Sequence, residues 1–244
     1  MRTYLFYATL FSLLAACTGG RRDIRDFYFP VEKLAGGKVY EYASTEGDSI
    51  PPDYWYFRSV RADSGLFFVG TYYDENFQVG QLVREKIGDN GSQARDYFLY
   101  FPDSTGVRNI RVNTRLESPD VFPFSVKDST GVFLFSLQLQ QPGDAGTVYL
   151  IRNRRYLGNA PDFDFKGKKY PCVRFSLREA IGKSAEGDAE TESRGEEWYA
   201  KDLGLVYYRK ETGSKGLIRQ EYRLRDIIPM DELERRAGRH FSQQ

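Results

Sequence analysis

Alternation of apolar and polar residues, interrupted at short intervals by turn sequences, is the feature that most restricts the fold of this chain. In segment 110–116, Ile, Val, Thr and Leu occupy one face, and Arg, Asn and Arg occupy the other. Segments 133–139 and 173–178 repeat the pattern with Phe, Leu and Val. A period of two with aromatic and β-branched residues is typical of half-buried strands. The sequence therefore predicts an all-β protein.

Turn sequences separate these segments and set the order of the strands. DSTGV occurs at 103–107 and again at 128–132, and related turn signals occur at 63–65 and 89–92. Strands are predicted near 38–43, 54–61, 65–74, 77–87, 94–101, 107–116, 121–127, 132–140, 147–155, 169–178, 196–201, 204–210 and 217–225. Consecutive strands joined by short turns favour an antiparallel meander.

The meander is predicted to form a single β domain over residues 37–228, because no linker divides it. We expect it to curl into an open or half barrel, with a two-sheet β sandwich as the alternative. Residues 181–195 contain almost no apolar side chains and are predicted to be a mobile loop. Residues 229–244 form a C-terminal tail, in which Pro229 and the acidic residues after it predict a short helix.

The N-terminus has the pattern of a secretory signal over residues 1–16. Arg2 is the only charged residue before Cys17, residues 4–14 are almost wholly apolar, and two alanines precede the cysteine. The apolar run is too short to cross a bilayer, which needs about 20 residues. The sequence Leu14-Ala15-Ala16-Cys17 resembles the lipobox of bacterial lipoproteins, and an ordinary signal peptide is the alternative.

The lipobox resemblance implies that Cys17 is acylated and becomes the new N-terminus after cleavage, with residues 17–36 forming a lipidated tether. Two or more acyl chains hold a protein stably in a membrane. Thr18, which is not acidic, follows the cysteine, and in the lipoprotein sorting pattern this favours the outer membrane. Arg21 and Arg22 are unlike the acidic run linked to surface export in some bacteria. We therefore expect the periplasmic face of the outer membrane.

A second resemblance lies in residues 198–207, WYAKDLGLVY, which the pattern predicts to be a β hairpin. It is similar to the WYAKGVGLVK hairpin of envelope lipoproteins with a LolA/LolB-like curved sheet, with Asp202 where glycine is usual. In that group the sheet is an unclosed barrel, often around a helix, with an apolar concave side. The resemblance implies a ligand-binding curved sheet.

Composition argues against several classes of function. The chain has 35 basic and 34 acidic residues, and such a balance gives no electrostatic footprint for nucleic acid. The single histidine, His240, lies near the C-terminus, which argues against a catalytic triad and histidine metal sites. Cys172 alternates with Arg174 and Ser176 and is interpreted as a packed cysteine. We expect no catalytic residues, no metal and no cofactor.

Tyr54, Trp55 and Tyr56, together with Trp198 of the hairpin, are the candidate ligand-binding residues. In a strand, Tyr54 and Tyr56 face one side while Trp55 and Phe57 face the other. Such aromatics either fill the core or stack on a sugar or an apolar ligand.

The sequence predicts a non-enzymatic, lipid-anchored envelope protein that binds an apolar or glycan ligand or a protein partner on a curved sheet. One alternative is a structural or assembly subunit of an outer-membrane complex. A second is a hydrolase that uses only carboxylates.

Overall fold

The computed structural model describes residues 20–47, 49–103, 109–127, 131–143, 146–183, 190–213 and 218–242. The predicted lipidation site, Cys17, lies outside the described residues, as do the centres of both DSTGV sequences. The strands are β1 (Arg22–Asp23), β2 (Lys38–Ser44), β3 (Asp53–Ala62), β4 (Gly65–Tyr73), β5 (Val79–Ile87), β6 (Gly91–Pro102), β7 (Asn109–Pro123), β8 (Ser125–Val126), β9 (Val132–Gln140), β10 (Thr147–Phe165), β11 (Lys168–Lys183), β12 (Thr191–Ala200), β13 (Gly204–Thr212) and β14 (Ile218–Ile228). One α-helix, α1 (Met230–Phe241), follows β14.

Twelve strands form a closed antiparallel barrel, so the prediction of an all-β meander is confirmed. The order around the barrel is β2–β7 followed by β9–β14, with every neighbour antiparallel. The short strands β1 and β8 pair with each other separately.

The predicted open or half barrel, which the LolA/LolB resemblance also implied, is wrong in this detail. β14 pairs with β2 from Tyr222↔Ser44 to Ile228↔Val39, which joins the two ends of the meander. An unpaired strand edge leaves backbone N–H and C=O groups without partners, and closure removes both edges at once. Alternation within single strands contains no information about which distant strands meet, so it could not predict this pairing.

Two of the hairpins are longer than the sequence pattern indicated. β10 continues to Phe165, past Gly158 and Pro161, with irregular pairing at Tyr156/Gly158 and Ala160/Phe163. Glycine and proline normally mark turns, but β-bulges also accommodate them. The predicted loop 181–195 is also wrong in part, because β11 runs to Lys183, β12 begins at Thr191, and Ile181 pairs with Thr191.

The segment between β1 and β2 enters one end of the barrel and acts as a plug, defined here as residues 24–34. Ile24, Tyr28 and Leu34 are almost fully buried. Phe29 stacks on Phe68 at a ring-centroid distance of 4.8 Å. The plug is tied to the turns at that end, since the amide of Asp202 donates to the carbonyl of Asp26 at 2.8 Å.

Barrel size explains why a plug is needed. About eight strands give an interior that side chains alone can fill, and larger barrels enclose additional space. Twelve strands enclose more space than eight, and the aromatic residues of the plug fill part of it at one end, where Phe29 packs on Phe68.

The helix predicted after Pro229 is confirmed, and it packs on the outside of the barrel. Leu233 is buried against Val39, Tyr54 and Ile228. The buried Glu41 accepts a hydrogen bond from Arg236 of the helix at 3.0 Å. No helix in the described ranges is both long and apolar enough to cross a bilayer.

Gly204, at the start of β13, lies so close to Phe29 of the plug that a side chain at this position would overlap with it. Its φ is +89°, and a Cβ placed there would lie 2.5 Å from the ring of Phe29. Gly167, in the turn between β10 and β11, has a similar φ of +78° but nothing within 4 Å of the position of a Cβ. The two glycines therefore share backbone strain and differ in the contact with Phe29.

We expect Gly204→Ala to destabilise the protein more than Gly167→Ala. A non-glycine residue at positive φ costs about 1–2 kcal/mol at either position. At Gly204 the overlap with Phe29 adds about 1–3 kcal/mol of overpacking. Urea unfolding of both variants measures the difference, and equal losses would show that Phe29 does not pack against this turn.

Candidate functional site

A cavity of about 350 Å³ lies inside the barrel beside the plug. Such a volume is within the range of small-molecule binding sites. Phe29 of the plug lines it on one side, while Asp53 and Tyr72, which lie at or near strand termini at the opposite end of the barrel, line it on another. The lining residues are Tyr28, Phe29, Tyr42, Asp53, Trp55, Phe57, Phe68, Tyr72, Gln81, Val83, Glu85, Tyr97, Val121, Phe122, Phe135, Arg152, Arg154, Glu197, Tyr199, Leu205 and Tyr208.

Trp55 is the one predicted ligand-binding residue among the described residues that lines this cavity. Its indole lies 5.4 Å from the ring of Tyr72 and stacks on Phe57 at 5.7 Å. The side chain is half-buried. Phe57 therefore covers part of the Trp55 ring, and the side chain also borders the cavity.

The other three candidates face away from the cavity. Tyr54 and Tyr56 project from the opposite face of β3, as strand alternation requires, and pack on the helix side. Trp198 lies on the outer surface of β12, where its ring meets that of Tyr207 at 4.7 Å. Its indole N–H donates to Glu196. The structure thus separates Trp55 from Tyr54, Tyr56 and Trp198.

An ion pair between Arg154 of β10 and Glu197 of β12 lies on the inner wall of the barrel and bridges β11. The guanidinium donates two hydrogen bonds to the carboxylate, at 2.7 and 3.2 Å, and a third to the carbonyl of Val121 at 3.0 Å. Burial alone would raise the pKa of Glu197, but Arg154 and the hydroxyl of Tyr199 hold that pKa below its usual value. Both groups are therefore charged, and each has its partner.

Two further ion pairs share the carboxylate of Glu179, with Arg152 and Lys210 as the cations, and lie nearer the β11–β12 turn. Arg152 donates to Glu179 at 2.8 Å, and Lys210 donates to the other oxygen of the same carboxylate. Burial opposes ionisation of Glu179, but Arg152 and Lys210 lower its pKa to about 2. The carboxylate side chain is only 2% exposed, whereas those of Arg152 and Lys210 are 26% and 28% exposed.

Tyr28 of the plug reaches a third buried acid, Glu85. Its hydroxyl donates to the carboxylate at 2.7 Å. Burial raises the pKa of Glu85, although the hydrogen bond from Tyr28 and the charge of Arg154 act in the opposite direction. The plug therefore positions the carboxylate of Glu85, and it also contributes the rings of Tyr28 and Phe29 to the cavity wall.

Asp53 occupies the end of the cavity away from the plug. The Tyr72 hydroxyl donates to one carboxylate oxygen at 3.1 Å, and the Tyr208 hydroxyl donates to the other. Burial raises the pKa of Asp53, and these two hydrogen bonds offset the effect in part. Tyr42, also in the lining, packs edge-on against Tyr208 at a centroid distance of 5.7 Å.

The remaining reactive side chains lie elsewhere. Cys172 is buried, and burial raises its pKa to about 11, which keeps the thiol protonated. His240 packs against Phe77 near the end of the external helix. Within the described ranges, no group of three acids, histidines or cysteines could hold a metal ion.

Sequence reasoning missed the charged lining of the cavity. Arg152 and Arg154 alternate with Ile151 and Asn153 along the strand. Two arginines on one face of a strand normally indicate that this face is exposed to water. The structure inverts this orientation: Ile151 is 37% exposed and Arg154 is buried. The only local signal was the alternation itself, which fixes two faces but does not say which one is internal.

Comparison with known proteins supports the fold. No protein-family model and no curated protein sequence matches the chain. A structure of a candidate lipoprotein from Parabacteroides distasonis is similar, with 12% identity and a TM-score of 0.53, over 82% of this chain and 97% of that one. A candidate exported protein with a YmcC-like fold, from Bacteroides fragilis, matches with 15% identity and a TM-score of 0.51, over 82% and 98%.

We expect Glu179→Gln to destabilise the protein strongly at neutral pH and weakly in acid. Removing one partner of a buried ion pair costs about 3 kcal/mol or more. The pKa of Glu179 is about 2 in the folded protein against an ordinary value of 4.5. Its contribution is therefore complete above pH 4.5 and is lost as the pH falls toward 2.

Urea unfolding of wild type and Glu179→Gln at pH 7 and at pH 3 measures this change. Glu117→Gln, in the exposed pair with Arg115, is the control, with an expected loss of about 1 kcal/mol or less. A difference between wild type and Glu179→Gln that grows on acidification would contradict the assignment.

Proposed function

We propose that this protein is a lipid-anchored cell-envelope protein that binds a small ligand inside its barrel, without catalysing a reaction. The observation that carries the proposal is the internal cavity, which has aromatic walls and fixed charged groups. An aromatic surface with a few placed polar groups is the usual composition of a ligand site. The fold shared with a candidate lipoprotein and a candidate exported protein supports the envelope assignment.

The sequence predicted either an apolar ligand or a glycan, and the residues that line the cavity restrict this range further. An acyl chain needs a continuous apolar tunnel, whereas this cavity presents Asp53, Arg152 and Arg154. Burying a polar group without a partner costs several kcal/mol on transfer to an alkane-like environment. A compact ligand with both a polar group and an apolar or ring surface fits this lining best.

The plug relates the cavity to the proposed anchor. Cys17 precedes Gly20 by three residues, a chain length that spans at most about 11 Å. Residues 22–34 then lie at the plugged end of the barrel. Acylation of Cys17 would therefore hold the plugged end close to the outer membrane and direct the Asp53 end of the cavity away from it.

An assembly role is the second candidate, and an external patch favours it. Val132 and Leu134 of β9 and Ile151 and Leu157 of β10 are 37–59% exposed on the outer face of adjacent strands. Exposed apolar patches of this kind occur at protein interfaces. An envelope protein partner that covers this patch would be compatible with a ligand inside the barrel.

Changing Cys17 to Ser is expected to release the protein into the soluble periplasmic fraction. The substitution removes the thiol that would be acylated and therefore the only covalent membrane anchor in the proposal. Fractionation with detection of the protein measures the change, and Cys172→Ser is the control that should stay with the membrane. Membrane retention of Cys17→Ser would contradict the anchor.

Filling the cavity should abolish ligand binding without unfolding the barrel. Val83 lines the cavity and is 8% exposed, so Val83→Phe places a ring in that space. Val60→Phe adds the same atoms on the outer surface, where Val60 is 37% exposed. Native purification with mass spectrometry should find a compound with wild type and Val60→Phe but not with Val83→Phe. Identical small-molecule content in all three proteins would contradict a ligand in the cavity.

A further inference from the structure

Asp53 differs from the other buried acids of the barrel interior, Glu197, Glu179 and Glu85, because no cation among the described residues acts on it. Glu85 also forms no ion pair among the described residues, but it lies under Tyr28 of the plug and is influenced by the charge of Arg154. Glu197 is paired with Arg154, and Glu179 is paired with Arg152 and Lys210. Among the described residues, no lysine, arginine or histidine forms an ion pair with Asp53, whose contacts are two tyrosine hydroxyls. Its charged neighbour is Glu75, which is also negative. The ionised form of Asp53 therefore has no compensating positive charge at this end of the cavity.

Aromatic rings surround this carboxylate. Tyr72 and Tyr208 hold its two oxygens, and Trp55 and Tyr42 line the cavity next to them. Trp55 contacts Tyr72 at 5.4 Å, and Tyr42 contacts Tyr208 at 5.7 Å, so the four rings form two adjoining pairs. The faces of aromatic rings carry negative potential and attract cations, with Trp the strongest.

We infer that the cavity binds an organic ammonium compound, with its cationic nitrogen beside Asp53 and within the aromatic group formed by Trp55, Tyr72, Tyr208 and Tyr42. The inference rests on the proposed function, because it names the class of ligand for the same cavity. The carboxylate would supply the compensating charge, and the rings would replace water around the alkyl groups of the cation.

A metal cation fits this position less well than an ammonium group. Calcium takes six to eight oxygen ligands and magnesium requires six in octahedral geometry. Asp53 offers a single carboxylate whose oxygens already accept hydrogen bonds from two tyrosines, and the neighbouring acid, Glu75, is exposed outside the cavity lining. A cation with alkyl substituents instead gains from contact with ring faces and needs only one opposite charge.

Choline and its neutral isostere 3,3-dimethylbutan-1-ol test the inference with the full mature protein. The two probes have nearly the same shape and differ in the positive charge on the central atom. Isothermal titration calorimetry should show choline binding at least tenfold tighter than the isostere, which corresponds to about 1.4 kcal/mol. Because this comparison uses the unaltered chain, it does not depend on the stability of a variant.

Asp53→Asn should weaken choline binding at least tenfold, since it removes the charge while preserving the shape of the side chain. Asp162→Asn, on an exposed position of β10, is the matched control and should bind choline as wild type does. Trp55→Leu should weaken choline binding while leaving Asp53 in place. Thermal unfolding of each variant confirms that the barrel is intact.

Equal affinity for choline and its isostere, absence of choline binding, or wild-type affinity of Asp53→Asn would overturn the ammonium inference. The proposed function has a separate readout. A compound that co-purifies with wild type, is lost in Val83→Phe and carries no cationic nitrogen would reject the ammonium class and leave the binding function standing. Loss of both readouts would reject both.

Discussion

Pairing of β14 with β2 is the interaction on which the rest of the structure depends. It joins the first and last strands of a twelve-strand meander and gives partners to two edges that would otherwise be exposed. Closure at twelve strands also sets the interior width, which is greater than side chains alone can fill. The plug at one end and the cavity beside it are both consequences of that width.

The interior of the barrel combines an aromatic core with charges that are almost all paired. Phe122, Phe175 and Tyr199 pack together near the plug, with centroid distances of 4.8–5.8 Å. Next to this cluster, the guanidinium of Arg154 donates two hydrogen bonds to the carboxylate of Glu197. Buried pairs of this kind contribute little net stability but strongly disfavour arrangements that separate them. The pair therefore fixes the position of β10 relative to β12, on the two sides of β11, and shapes the cavity. At the end away from the plug, Asp53 has no cationic partner among the described residues and is available to a ligand.

The plug connects the proposed anchor with the proposed site. Tyr28 and Phe29 line the cavity. In sequence they come only a few residues after residue 20, where the described chain begins. Tyr28 also holds Glu85. A force or a partner that displaced the N-terminal segment would therefore change the cavity directly, because the same residues form its wall.

The sequence by itself determined most of the strands, their antiparallel pairing along the chain and the C-terminal helix, because alternation, turn residues and helix signals are local. It did not determine every strand boundary, since β7 runs through the gap between the predicted strands 107–116 and 121–127. It also placed Trp55 and Phe57 on the opposite face of β3 from Tyr54 and Tyr56. Only the tertiary structure decided that the barrel closes, that Arg152 and Arg154 face inward, and that residues 24–34 fill one end. These outcomes depend on contacts between distant parts of the chain, as between Arg154 and Glu197, and a period-two pattern is the same whichever face is buried.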